Sequence, residues 1–304
     1  MRMLCGMALT LFLIFLLAGC GSNHDNGGYG HDGGYGGYGH GGNGGGTSAV
    51  VTGQNPTDKA AMVWVPAGTF TMGSPNGVGD GSELPAHQVT LTGYWIYQDD
   101  VTVAQYLAFC SATSYALPSF PTGDSWAGKT GWKDPSLQQH PIVNVAFADA
   151  QAYATWAGAQ LPTEAQWEFA ARGVRENNFP WGGRATADDP YNGWDPSKCA
   201  NDANSQSVGI STWPVGSFPA GVSWCGALDM AGEVEQWCAD WYGPYAGTAV
   251  TNPTGPATGT LRVVRGGAWS TTRQYCSGWS REYFFPDGTG DFCGFRCVST
   301  APAP

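Results

Sequence analysis

The chain has 304 residues, a formal charge of −11 and 14 tryptophans. Its 13 basic residues against 24 acidic ones argue against a nucleic-acid surface, which needs a basic patch to meet phosphates. Charged residues make up 12%, against about 25% in an ordinary soluble domain. All the tryptophans fall between Trp64 and Trp279, so the aromatic globular part begins after the first fifth of the chain.

The chain opens as an export signal. Arg2 is a basic start, and Leu9 to Ala18 is an apolar run too short to span a bilayer as a helix. It ends in Leu17-Ala18-Gly19-Cys20, which resembles a bacterial lipobox. That motif implies removal of residues 1–19 and a lipid on Cys20. Several acyl chains anchor stably, since each buried CH₂ contributes ~0.8 kcal/mol. Gly21 after the cysteine implies the outer membrane or cell surface. Residues 20–48 hold the lipidated cysteine and a glycine-rich tether, with 14 glycines in residues 21–46 and no aliphatic core. As a coil such a tether measures about 30 Å. His24, His31 and His40 in it are expected to be incidental.

The folded head is expected over residues 49–300. Val63 to Gly73 alternates as strand, turn, strand. His87 to Tyr97 is predicted as one strand. Thr102 to Ser111 has helical apolar spacing with Thr102 as N-cap. Val145 to Ala157 is predicted as a second helix with one packed face, which includes Asp149, Ala152, Tyr153 and Trp156. A third helix follows Thr163, where Gln166 completes a capping box and Gly173 ends the helix. Beyond Gly173 only Leu261 to Arg265 stands out as a strand. Few elements joined by long loops predict an α+β fold with much irregular structure.

Several strings carry a family resemblance. AYATWAGAQ, LPTEAQWEFAARG, PWGG at Pro180–Gly183, PVGSFPAG at Pro214–Gly221, DMAGEVEQW at Asp229–Trp237, RVVRGGAW at Arg262–Trp269 and GFRC at Gly294–Cys297 occur in that order. Together they resemble the formylglycine-generating-enzyme, or sulfatase-modifying-factor, family over about Ala61 to Val298. The resemblance implies a C-type lectin-like fold of small twisted sheets, two or three helices and long loops.

The resemblance breaks down at the chemistry. In the family, two cysteines five residues apart hold copper, a soft thiolate pair suited to Cu(I). Those positions are Thr271 and Cys276 here. The family's GGS serine is Ala268, and the Asn two residues before GFR is Phe292. The copper site is therefore expected not to form, and Cys276 is catalytic only if an oxidase reading holds. His87 and His140 are expected to be exposed or capping rather than metal-bound. Calcium is the candidate cofactor, with Asn201, Asp229, Gln236 and the carbonyls of Gly232 and Val234 as its ligand set, the alternative being an acidic loop satisfied by backbone N–H groups. Gln236 stands where the family has a carboxylate, and Ser207 where it has an aspartate. Seven cysteines remain in the mature head: Cys110, Cys199, Cys225, Cys238, Cys276, Cys293 and Cys297. An exported chain is expected to oxidise some of these, and the odd count leaves at least one over. In the family the GFRC cysteine pairs with one at the position of Ala154, so Cys297 needs another partner.

The segment 270–293 lies between two well-matched strings and shows little alternation. It is predicted as an exposed loop that recognises a ligand. Its candidate contacts are Ser270, Thr271, Thr272, Tyr275, Trp279, Ser280, Arg281, Glu282, Tyr283, Phe284, Phe285, Gly290, Asp291 and Phe292. Tyr, Trp and Arg dominate binding hot spots. The stretch is also similar to the variable region of proteins diversified by retroelements, whose asparagine runs fall on 270–272, 282–285 and 290–292. Glu282 departs from that pattern, as do Ser277, Trp279 and Cys293. The reading that results is a lipid-anchored surface protein binding a protein or glycan ligand through this face. The rival reading is a formylglycine-generating oxidase or related periplasmic modifying enzyme.

Overall fold

The computed structural model describes residues 50–301, apart from 76–77, 124–125, 187 and 206–211. The leader, Cys20, the tether and Ser207 lie outside the described residues. In chain order the elements are β1 (Thr52–Gln54), β2 (Ala61–Val65), β3 (Gly68–Met72), β4 (His87–Leu91), β5 (Tyr94–Tyr97), α1 (Val103–Thr113), α2 (Phe147–Trp156) and α3 (Glu164–Arg172). There follow α4 (Asp202–Ser205), β6 (Glu235–Trp241), β7 (Val250–Thr251), β8 (Arg262–Arg265), β9 (Arg281–Phe284), β10 (Cys293–Gly294) and β11 (Val298–Ser299). The strands form three small sheets, ordered β1-β2-β5-β11, β10-β6-β8-β9 and β3-β4-β7. This is the expected α+β architecture. Among the described residues no helix is long and apolar enough to cross a membrane.

Predicted and observed elements differ in instructive places. His87 to Tyr97 is two strands, not one. β4 pairs with β3 and β7, whereas β5 pairs with β2 and β11. The chain changes sheets at Thr92-Gly93. A Cβ on Gly93 would stand 2.4 Å from the Trp64 ring, so the crossing needs glycine. Helix α1 starts after Thr102 as predicted, with Gln105 N donating to Thr102 Oγ1 at 3.3 Å and Thr102 N to Gln105 Oε1 at 2.8 Å. Helix α2 starts two residues late because Asp149 accepts from Ala146 N at 2.9 Å and fixes the first turn there.

Helix α3 is buried almost all round, charges included. Its Trp167 and Phe169 pack with Phe70, Val89 and Val263 in one apolar cluster. Glu168 is fully buried between Arg172 and Arg265 and accepts from Gly73 N at 2.8 Å. Two cations beside it hold its carboxyl below the ordinary value despite burial. A second cluster joins α1 and α2 through Tyr106, Phe109 and Tyr153 to Phe295 and Trp237. Arg296 ties the sheets together, donating to the carbonyls of Tyr97, Gln98 and Leu228 at 2.7–3.0 Å.

Candidate functional site

The segment 270–293 is not a uniform exposed loop. Ser270 and Thr272 are exposed, while Thr271, Tyr275, Glu282, Phe284, Gly290, Asp291 and Phe292 are half-buried. Trp279, Ser280 and Arg281 are only 1–5% exposed, which corrects the expectation that they are displayed. Trp279 is held between the Arg172 guanidinium, 5.5 Å from its ring centre, and the Tyr191 ring, 6.4 Å away and stacked. Arg281 faces inward to Glu164 and to the carbonyls of Ser82 and Gly243. Residues 281–284 form β9, an edge strand antiparallel to β8. Tyr283 and Phe285 are 51% and 62% exposed, the only aromatics among the large apolar side chains exposed in the described residues. Phe284 turns inward and stacks on Trp237 at 5.7 Å.

Beside this strand lies a cleft of about 350 Å³. Tyr191, Tyr275 and Trp279 are its aromatic side, and Asp80, Glu83 and Glu282 its acidic side. Burial and the neighbouring Asp80 push Glu83 up to about 7. The same two causes raise Glu282. Asp80 and Glu83 were not singled out in the sequence. They hold a capping box together, with Asp80 N donating to Glu83 Oε2 at 3.1 Å. An apolar cavity of about 490 Å³ lies elsewhere, between Met72, His87, Tyr245, Val250 and Pro256. The carboxylate and guanidinium at its edge, Glu164 and Arg281, already satisfy each other. The cleft therefore offers a ligand more polar groups.

The pattern's thiol pair is absent. Thr271 Oγ1 lies 3.7 Å from Cys276 Sγ and bonds to Ala268 O at 3.0 Å, and a hydroxyl is no soft ligand for copper. Cys276 is fully buried. The sequence did not point to its neighbour: Cys199 shares a small buried apolar cluster with Cys276 and Ala231.

The calcium set does not fit either. Gln236 Oε1 accepts from Trp167 Nε1 at 2.6 Å and Arg296 Nε at 2.7 Å. Asn201 Oδ1 accepts from Ala203 N at 2.9 Å. Asp229 Oδ2 accepts from Gly216 N at 2.7 Å, and burial pushes its carboxyl up to about 6. Both amide oxygens are thus committed to protein N–H groups. Among the described residues no group of three or more His, Cys, Asp or Glu side chains is placed to hold a metal ion. His87 and His140 are buried, not exposed. His140 Nδ1 lies 3.0 Å from Thr212 Oγ1, and burial pushes its ring down to about 4.

Comparisons with known proteins agree with this architecture. The sulfatase-modifying factor enzyme 1-like domain matches residues 47–301. The formylglycine-generating enzyme of Streptomyces coelicolor is 33% identical over 81% of this chain and 91% of its own. The serine/threonine-protein kinase pkn1 of Chlamydia caviae is 34% identical, over 78% of this chain and 37% of its own. Among solved structures, PvdO from Pseudomonas aeruginosa superposes with a TM-score of 0.66 and 28% identity, covering 82% of this chain and 97% of that one. Treponema denticola variable protein 1 has the same fold at a TM-score of 0.63 and 23% identity, over 83% and 99% of the two chains. The chain belongs to the sulfatase-modifying-factor family.

Proposed function

We propose that this protein is a lipid-anchored surface protein whose head binds a protein or glycan ligand at the face formed by β9 and the adjoining cleft. One observation carries the reading. The segment in which the family's copper cysteine is missing also displays Tyr283 and Phe285 and walls an aromatic, acidic cleft. Exposed rings give contact area at low entropic cost, and carboxylates beside them orient hydroxyl or cationic groups. The lipobox-like Leu17 to Cys20 and the glycine tether support display at a membrane surface. The fold is also that of a protein named as a variable protein. The test is to screen the purified chain on a glycan array and against surface proteins. Tyr283→Ala, Phe285→Ala and Glu282→Arg are then assayed on whatever binds. Loss of binding by at least tenfold with unchanged folding supports the reading, and unchanged binding in all three variants sinks it.

A second reading, an oxidase acting on cysteine-containing peptides, is favoured by the shared burial of Cys199 and Cys276 and by the formylglycine-generating relatives. Loading the reduced chain with Cu(I) and assaying aldehyde formation on a cysteine-containing sulfatase peptide decides it. Turnover would establish catalysis.

A further inference from the structure

We infer that Cys199 and Cys276 are joined by a disulfide in the mature protein. The two thiols come from loops far apart in sequence yet share one buried cluster, Cys199 being 3% exposed and Cys276 fully buried. Both loops are fixed from outside the pair. Asn201 Nδ2 donates to Cys199 O at 2.9 Å and to Pro196 O at 3.0 Å, closing the first loop on itself. Thr271 Oγ1 accepts from Ala268 N at 2.9 Å, and Tyr275 N donates to Thr272 O at 3.1 Å, closing the second. Asp202 N then donates to Thr271 O at 3.2 Å and clamps the two loops together. Backbone that does not depend on the two sulfurs brings their loops together and buries both side chains in one cluster.

The surroundings favour a disulfide over a metal-bound pair. The site is packed by Ala231 and flanked by Trp181 and Trp194. A bis-thiolate there would leave charge in an apolar, buried place, whereas a disulfide is neutral. The oxidant is a protein or small-molecule disulfide. One cysteine thiolate attacks its S–S bond and expels one oxidant thiolate, giving a mixed disulfide. The second cysteine thiolate attacks the first cysteine's sulfur and expels the other oxidant thiolate. Two protons leave the cysteines and two electrons reduce the oxidant. Because both thiols are buried, the exchange takes place before the loops close. The bond ties the 199–205 segment to the loop that carries Gln274 and Tyr275, one wall of the cleft. It would also remove the thiols that the oxidase reading requires.

The test refolds the full chain in a glutathione redox buffer, alkylates it under denaturing conditions and digests it without reduction. This oxidant is supplied in vitro, so the outcome does not depend on whether the chain is exported. The expected result is a Cys199 peptide linked to a Cys276 peptide in near-stoichiometric yield. Full alkylation of both, linkage to other cysteines, or tight retention of Cu(I) by the two thiols would overturn the inference. As a second arm, Cys199→Ser, Cys276→Ser and the double variant should each lower Tm by the same ~5–10 °C, and only when the parent is unreduced. Additive losses, or equal losses in reductant, count against the bond.

Discussion

Arg281 and Glu164 meet in a two-pronged ion pair, Nε to Oε1 at 2.7 Å and Nη2 to Oε2 at 2.8 Å, although 117 positions separate them. Both side chains are buried. The Arg281 guanidinium also lies 4.5 Å from the Tyr242 ring centre and 4.2 Å from that of Tyr245. Removing Arg281 leaves Glu164 only the Arg265 guanidinium, whose Nε is 3.3 Å from Oε1, and strands the carbonyls of Ser82 and Gly243. Arg281→Ala should therefore cost about 3–5 kcal/mol in urea unfolding. Arg281→Lys should recover little of it, since one ammonium cannot span both carboxylate oxygens and the carbonyls of Ser82 and Gly243. An alanine variant of parental stability would mean that Arg281 is a surface recognition residue after all.

The aromatics of the same segment should divide into two kinds. Trp279 is the packed floor of the cleft, so Trp279→Ala should lose about 3–5 kcal/mol. Tyr283→Ala and Phe285→Ala remove exposed rings and should cost about 1 kcal/mol or less. Equilibrium denaturation of the three variants checks this. Equal losses would place Tyr283 and Phe285 in the core and remove them from any binding face.

How much was legible depended on where each residue's partner lies. Helix α3 was legible because its signals are local: Thr163 and Gln166 cap one end and Gly173 ends the other. Its total burial was not, because Glu164 and Glu168 are neutralised by Arg265 and Arg281 far along the chain. Strand β9 inverts the usual alternation, burying Arg281 and exposing Tyr283, so period-two reading missed it. Strand β6 was missed for a related reason. Gln236 looked like a loop ligand but is buried in the strand, its oxygen engaged by Trp167 and Arg296. At the site, Tyr275, Trp279 and Glu282 were found from the segment itself. Asp80, Glu83 and Tyr191 reach it from other loops, as Cys199 reaches Cys276, and no local pattern marks them.

Carboxyls held above their ordinary values set the pH dependence, burial raising Asp99, Asp100, Glu233 and Glu282 among them. Burial and neighbouring acids push Glu83, Glu235 and Asp240 up to about 7, and burial pushes Asp229 up to about 6. An acid whose folded pKa lies above its unfolded value, about 4 for these groups, stabilises fully below the unfolded value. That contribution is lost as pH rises through the folded value. His140, held down to about 4, acts oppositely and loses its contribution as pH falls from about 6.5 toward 4. The carboxyls outnumber it, so Tm should fall by several degrees between pH 5.5 and pH 8, in thermal melts at fixed ionic strength. Glu235→Gln should flatten part of that slope, and a Tm that rises with pH would reverse the assignment.

The calcium question turns on one amide. Gln236 Nε2 donates to Asp229 O at 2.8 Å while its Oε1 accepts from two donors. Gln236→Glu keeps the acceptor but loses the donor, and sets a carboxylate against the Asp229 carbonyl. The variant should lose about 1–3 kcal/mol in calcium-free buffer. Adding millimolar calcium should leave the parent's Tm unchanged, because its amide oxygens already serve protein N–H groups. The variant is the informative case. A Tm restored by calcium but not by magnesium would show that the loop keeps a cation geometry which the amide has closed. No recovery would mean that the loop between Asp229 and Gln236 is organised by protein hydrogen bonds alone. Those bonds already explain why it tolerates left-handed backbone at two non-glycine residues, Asp229 and Glu233, each pinned through its carboxylate to a backbone N–H of the 213–216 segment.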